Sequence, residues 1–114
     1  IMLDITASHQ DGICIIALTG RIISPTARQL EDALFARVAE GDTRLVLDFT
    51  KCDFIDSSGI RVLLMLLKKL MTVSGRFAIC GANGHIGQIF GIAGLARLFP
   101  IVDTLEAASA AVKQ

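Results

Sequence analysis

Asp56-Ser57-Ser58-Gly59 gathers the side chains best placed to do chemistry in this sequence. The tetrapeptide follows a strand and loop and opens an almost wholly apolar stretch that reads as a helix. One reading is capping. Asp56 or Ser57 accepts hydrogen bonds from the unpaired N–H groups of a helix start, and Gly59 permits a tight approach. The other reading concerns the Ser58 hydroxyl. With Ser57 as the cap, Ser58 is the first helical residue, where a phosphoryl group would face free N–H groups and the positive helix end. Such a group adds about −1.5 to −2 charges at pH 7, next to Asp53 and Asp56, and would crowd a partner surface fitted to a neutral hydroxyl. On the tetrapeptide alone both readings stand.

Other constellations are poorer. Gly81-Ala-Asn-Gly-His-Ile-Gly87 has GxxGxxG spacing, which is neither the dinucleotide fingerprint nor a phosphate-binding P-loop. Its glycines read as turn and packing positions. A hydrolase built on Ser58 lacks the GxSxG elbow, and neither His9 nor His85 has an orienting carboxylate evident in sequence. Two distant His and three dispersed Cys (Cys14, Cys52, Cys80) show no metal-ligand spacing. Asp48 ends a strand without the acidic pair and late Lys of a phospho-accepting receiver. The expectation is a non-enzymatic chain with no metal and no cofactor.

The elements that must position Ser58 follow from periodicity and punctuation. Met2–Ala7 and Ile13–Leu18 read as strands of an antiparallel hairpin around the polar tip Ser8–Gly12, and Gly20 closes the second. Ser24-Pro25 signals a helix, Ser24 as cap and Pro25 as first helical residue, with Leu30, Leu34, Phe35 and Val38 on its apolar face. Leu45-Val46-Leu47 is a compact strand, and residues 51–56 cross to a helix from about Ser57 to Val73 that is apolar on nearly every side. A helix of that kind is buried on several sides or covered by a partner. Phe77–Cys80 is a strand, Gly84–Ala93 a helix, and Pro100–Val102 a short extended piece. Asp103 with Glu106 makes a capping box for a last helix, Thr104 to about Val112. Helices between strands imply right-handed parallel crossovers. The fold class is α/β: one domain over 1–114, with a small mixed sheet of four to five strands, an N-terminal antiparallel hairpin and four helices.

Composition sets the outer limits. In 114 residues, 53% are hydrophobic and 19% charged, which argues against disorder. Eleven basic residues balance eleven acidic ones, so the electrostatic footprint of a nucleic-acid binder is missing. With no Trp or Tyr, a base-stacking platform is not expected. The apolar run Val62–Leu67 is stopped by Lys68 and Lys69, far short of the about 20 residues of a spanning helix. No signal-peptide pattern is evident, and unpaired Cys suit a reducing compartment, so a cytoplasmic location is expected. The chain begins at Ile1 rather than Met, consistent with a tag, a trimmed end or an excised domain.

With these residues in view, the sequence resembles a known family. Leu45-Val-Leu-Asp-Phe49 followed by Asp53-Phe-Ile-Asp-Ser-Ser-Gly-Ile60 is similar to the central signature of STAS domains, in particular bacterial anti-sigma-factor antagonists. Leu18-Thr-Gly-Arg-Ile22, Gly94-Leu95, Leu98-Phe99 and Glu106-Ala107-Ala108 extend the resemblance over nearly the whole chain. It implies that Ser58 is phosphorylated by an anti-sigma serine kinase. The unphosphorylated antagonist would bind that kinase and free a sigma factor, and phosphorylation would break the complex. Family members often carry an acidic residue two or three positions after the equivalent of Gly20; here Ile22-Ile23 stand there. The alternative is an unswitched STAS scaffold or accessory subunit, stressosome-like or associated with lipid transport. The expected partner surface comprises Ile22, Ile23, Phe54, Ile55, Arg61 and Met65 around Ser58, although Met65 at that helical density also suits the core. A weak homodimer is compatible with the sequence; direct nucleic-acid binding and membrane insertion are not expected.

Overall fold

The computed structural model describes residues 3–113. Its elements run β1 (Asp4–Gln10), β2 (Ile13–Ile22), α1 (Ser24–Ala39), β3 (Arg44–Ile55), α2 (Ser57–Met71), β4 (Arg76–Cys80), α3 (Gly84–Ala93), a 3-10 turn (Leu95–Arg97), β5 (Ile101–Val102) and α4 (Leu105–Lys113). The five strands form one sheet in sequence order, β1-β2-β3-β4-β5, with β1–β2 antiparallel and every other pair parallel. This is the expected mixed sheet with four helices.

The hairpin is tighter than its polar tip suggests. Only Asp11 and Gly12 make the turn, at φ of 54° and 79°. Two consecutive positive φ values match the right-handed twist of paired strands. Consequently Ser8, His9 and Gln10 remain in β1, with His9 opposite Cys14 and Gln10 opposite Ile13. The expected start of this strand at Met2 lies outside the described residues.

Alternation along the strands makes two cores. On one face Cys14, Ile16, Leu18, Leu45, Leu47, Phe49, Phe77 and Ile79 pack under α1, α2 and α3, which contribute Leu30, Leu34, Leu63, Leu66 and Phe90. Phe49 and Phe90 meet edge to face at 5.4 Å, the arrangement favoured by ring quadrupoles. On the other face Ile13, Val46, Ala78 and Cys80 pack against Ala108 and Val112 of α4. Both faces of β3 and β4 are thus covered, which explains their unbroken apolar runs.

Four boundaries differ from expectation. β3 continues through residues 51–55, which read as a crossing segment, because Thr19–Ile22 of β2 supplies it with a parallel partner. Pairing of the backbone there overrides the local polarity of Lys51 and Asp53. Gly20 does not close β2; it sits within the strand at φ 125°, where the β2–β3 register shifts between Gly20 and Arg21. At α1 the cap position falls on Ile23, so Ser24 rather than Pro25 is the first helical residue, and Thr26 in the third helical position bonds back to it. The buried Thr26 hydroxyl accepts the Ile23 N–H at 2.9 Å and donates to the Arg21 carbonyl at 2.7 Å. At α4 the acceptor is Thr104 rather than Asp103: Thr104 Oγ1 takes the Ala107 N–H at 3.1 Å.

Candidate functional site

The C-terminal ends of β2 and β3 hold the start of α2. Ile22 pairs with Ile55, and the Asp56 N–H donates to the Ile22 carbonyl at 3.0 Å, so the loop leaves the sheet at a fixed point. α2 then starts directly on those two isoleucines. A Cβ on Gly59 would lie 2.6 Å from both Ile22 Cγ2 and Ile55 Cγ1, closer than carbon atoms approach, so the position requires glycine. That close approach places Ser57 and Ser58 at the sheet's end rather than in its core.

Asp56 is the cap. With extended backbone (φ −105°, ψ −174°), its carboxylate accepts from the Ser58 N–H at 2.9 Å and the Gly59 N–H at 3.3 Å. It also accepts from the Ser58 hydroxyl. This corrects the Ser57 capping role: Ser57 is exposed and is the first helical residue, which makes Ser58 the second. A carboxylate wins because a single charged oxygen, Oδ1, accepts from two amides and a hydroxyl together. The Ser58 hydroxyl foremost, then the Gly59 and Ser58 amides, hold the Asp56 carboxyl below its ordinary value, against an opposing effect of desolvation.

Ser58 is half-buried and lines a groove of about 210 Å³ between α1 and α2, with Ser24, Ala27, Arg28, Glu31, Arg61, Val62 and Met65. Of the expected partner residues, Arg61 and Met65 share this groove with Ser58. Ile22 and Ile55 do not qualify as a contact surface: they are 0% and 1% exposed and form the floor beneath Gly59. Ile23 is half-buried at the entrance to α1. Phe54 is half-buried and stacked, with the Arg21 guanidinium 4.8 Å from its ring centre and the His85 ring 5.2 Å away and nearly parallel (3°). The α1 wall of the groove (Ala27, Arg28, Glu31) carries no local sequence signal. Only the packing of α1 on α2 reveals it.

Ser58 donates its proton to a carboxylate, not to an imidazole, and neither histidine is placed as a base for it. His85 stacks on Phe54, and His9 bonds Asp42. All three cysteines are free and buried. His9, Cys14 and Asp42, scattered along the chain, come together at the opposite end of β2, with one donor atom of each within 4.8 Å of the others. Linear spacing hides this cluster; the symmetric placement of His9 and Cys14 about the Asp11-Gly12 turn was the available signal. Among the described residues, no helix is long and apolar enough to cross a membrane.

This architecture and site have known counterparts. The profile of the STAS domain family matches residues 4–108. The chain is 39% identical over 109 residues to BtrV of Bordetella bronchiseptica, whose name carries a provisional anti-sigma factor antagonist assignment; the match covers 96% of this chain and 94% of that one. It is 30% identical to the anti-sigma F factor antagonist of Paenibacillus polymyxa, covering 89% and 87% of the two chains. The crystal structure of an anti-sigma factor antagonist from Mycobacterium paratuberculosis superposes with a TM-score of 0.89 at 28% identity, covering 98% of this chain and 95% of that one. A profile match over nearly the whole length, with these relatives and a solved structure of the same fold, places the chain in the STAS domain family, alongside anti-sigma factor antagonists.

Proposed function

We propose that this protein is an anti-sigma factor antagonist that binds an anti-sigma serine kinase through the α1–α2 groove and is released by phosphorylation of Ser58. The reading rests on one observation above all: Ser58 is half-buried in a groove at a helix start, and its hydroxyl donates to the carboxylate that also accepts from two amides. The names of the relatives support an anti-sigma factor as the partner; that this factor is a serine kinase is part of the proposal.

The charges of the groove supply a mechanism. Arg28, Arg61 and Glu31 line it, giving the lining a net single positive charge. A phosphate of about −1.5 to −2 on Ser58 inverts that sign. A kinase surface complementary to the unmodified groove is then repelled, while the sheet and both cores stay in place. Arg61, exposed and one helical turn from Ser58, is the natural contact for a partner carboxylate.

Incubation with the cognate kinase and ATP tests the proposal. One phosphate should be incorporated, and Ser58→Ala should abolish it. Ser58→Asp should weaken kinase association at least about tenfold while changing folding stability by no more than about 1 kcal/mol. Equal binding by wild type, Ser58→Ala and Ser58→Asp would instead identify an unswitched scaffold.

A further inference from the structure

We propose that His9, Cys14 and Asp42 form a binding site for a divalent transition-metal ion of the zinc class, clipping the β1–β2 hairpin to the loop between α1 and β3. Three separate elements deliver the donors. His9 and Cys14 are cross-strand partners on the hairpin, so their side chains leave the same face. Asp42 follows the C-terminus of α1 and comes over that face, with His9 Nε2 at 2.9 Å and 3.1 Å from its two carboxylate oxygens. One donor atom from each of the three residues lies within 4.8 Å of the others.

The donor chemistry selects the ion. An imidazole, a thiolate and a carboxylate together suit zinc, which takes N, S and O ligands at about 2.0–2.3 Å in tetrahedral array. Such ligands are about 3.3–3.5 Å apart, so modest side-chain rotation closes the site. The fourth position faces outward, since His9 is exposed while Cys14 lies fully buried beneath it. Calcium and magnesium demand oxygen ligands and do not fit this set.

Charge also balances. A thiolate and a carboxylate neutralise a dication, and neutral imidazole adds nothing. Arg37 does not block the site: one nitrogen lies 3.7 Å from Asp42 Oδ2, and another bonds Glu40 at 2.7 Å, leaving Asp42 Oδ1 toward His9. Arg37 is thus an ion-pair partner of the ligating carboxylate, without a hydrogen bond to it. Burial first, then the Asp42 charge, push the Cys14 thiol up to about 11, with Arg37 opposing. The ion must therefore displace the thiol proton, and binding releases one proton per metal.

The site lies at the N-terminal end of β2, whereas Ser58 lies beyond its C-terminal end, so this inference stands or falls independently of the switch. Cobalt(II) titration of the intact protein tests it. The expected result is one Co²⁺ per chain, a thiolate-to-cobalt charge-transfer band, and loss of that band on adding Zn²⁺. Cys14→Ala should abolish the band and Cys52→Ala should preserve it. Because Cys14 is a core residue, exposed His9→Gln provides a second variant, expected to weaken binding at least about tenfold with unchanged circular dichroism. No charge-transfer band at saturating cobalt, a band surviving in folded Cys14→Ala, or undiminished affinity in His9→Gln would each overturn the proposal.

Discussion

Replacing Asp56 by alanine tests the logic of the site at its base. The substitution removes an acceptor shared by the Ser58 and Gly59 amides and the Ser58 hydroxyl. The Asp56 amide bond to the Ile22 carbonyl survives, because it belongs to the backbone. Loss of an N-cap costs about 0.5–2 kcal/mol. The upper half of that range applies, since both amides and a half-buried hydroxyl lose their partner together, giving about 1.5–2 kcal/mol. For a domain of this size the melting midpoint should fall by about 6–8 °C. Asparagine keeps a capping oxygen but surrenders the charge at the helix start, which is worth about 0.3–1 kcal/mol. Urea unfolding should therefore rank wild type above Asp56→Asn above Asp56→Ala, with unchanged m-values. The pH dependence has a definite sign. Because the folded-state pKa lies below the ordinary 3.8, the unfolded chain binds more protons between the two values, and stability rises with pH there. The advantage of wild type over Asp56→Asn is complete above that ordinary value and drains away as pH falls below it. A loss under about 0.5 kcal/mol for Asp56→Ala, or an advantage over Asn that grows on acidification, refutes the assignment.

Gly59→Ala should destabilise by about 1–3 kcal/mol in urea melts, because the added methyl meets Ile22 and Ile55 at 2.6 Å; an unchanged midpoint would mean that α2 does not sit so close. Gly12→Ala, with open space around it but φ at +79°, should cost about 1 kcal/mol through backbone strain alone and leave Ser58 phosphorylation unaffected. Native protein at pH 7.5 should resist thiol alkylation, since all three cysteines are buried and their thiols pushed up; rapid labelling before unfolding would contradict that burial. If Ser58 carries a phosphate, Asp56→Asn should stabilise the phosphorylated form although it weakens the unmodified one, and a double-mutant cycle by urea melting reads that change of sign.

Much of this fold is legible because its signals are local and agree with one another. The Asp11-Gly12 turn between two β-branched stretches, Pro25 inside the first turn of α1, and the run from Ile60 to Met71 each name their element without help from the rest. The misses share a cause. The continuation of β3 through Lys51–Ile55 depends on a partner more than thirty residues away, and the Thr26 bonds at the start of α1 depend on the carbonyl of Arg21 lying within reach. Ile22 and Ile55 look like contact residues in sequence because they are close to the candidate tetrapeptide; only the overlying Gly59 shows that they are floor. Likewise Arg28 and Glu31 enter the groove through the packing of α1 on α2, which no spacing within either helix encodes.

Under the proposed phosphorylation of Ser58, the tetrapeptide would serve folding and regulation with the same donors. Asp56 satisfies the amides of Ser58 and Gly59, and those amides are the groups a phosphate on Ser58 would seek. Two anions cannot share them, so phosphorylation either expels the Asp56 carboxylate or turns the phosphate outward into the groove. In both cases negative charge moves to the surface beside Arg28 and Arg61, where a partner would dock. A neutral cap would hold the amides without opposing charge, yield them more readily to the phosphate and mute the change. An acidic cap two residues before the serine forces the new charge outward, so the residue that stabilises the helix also makes a modification there visible to a binding partner.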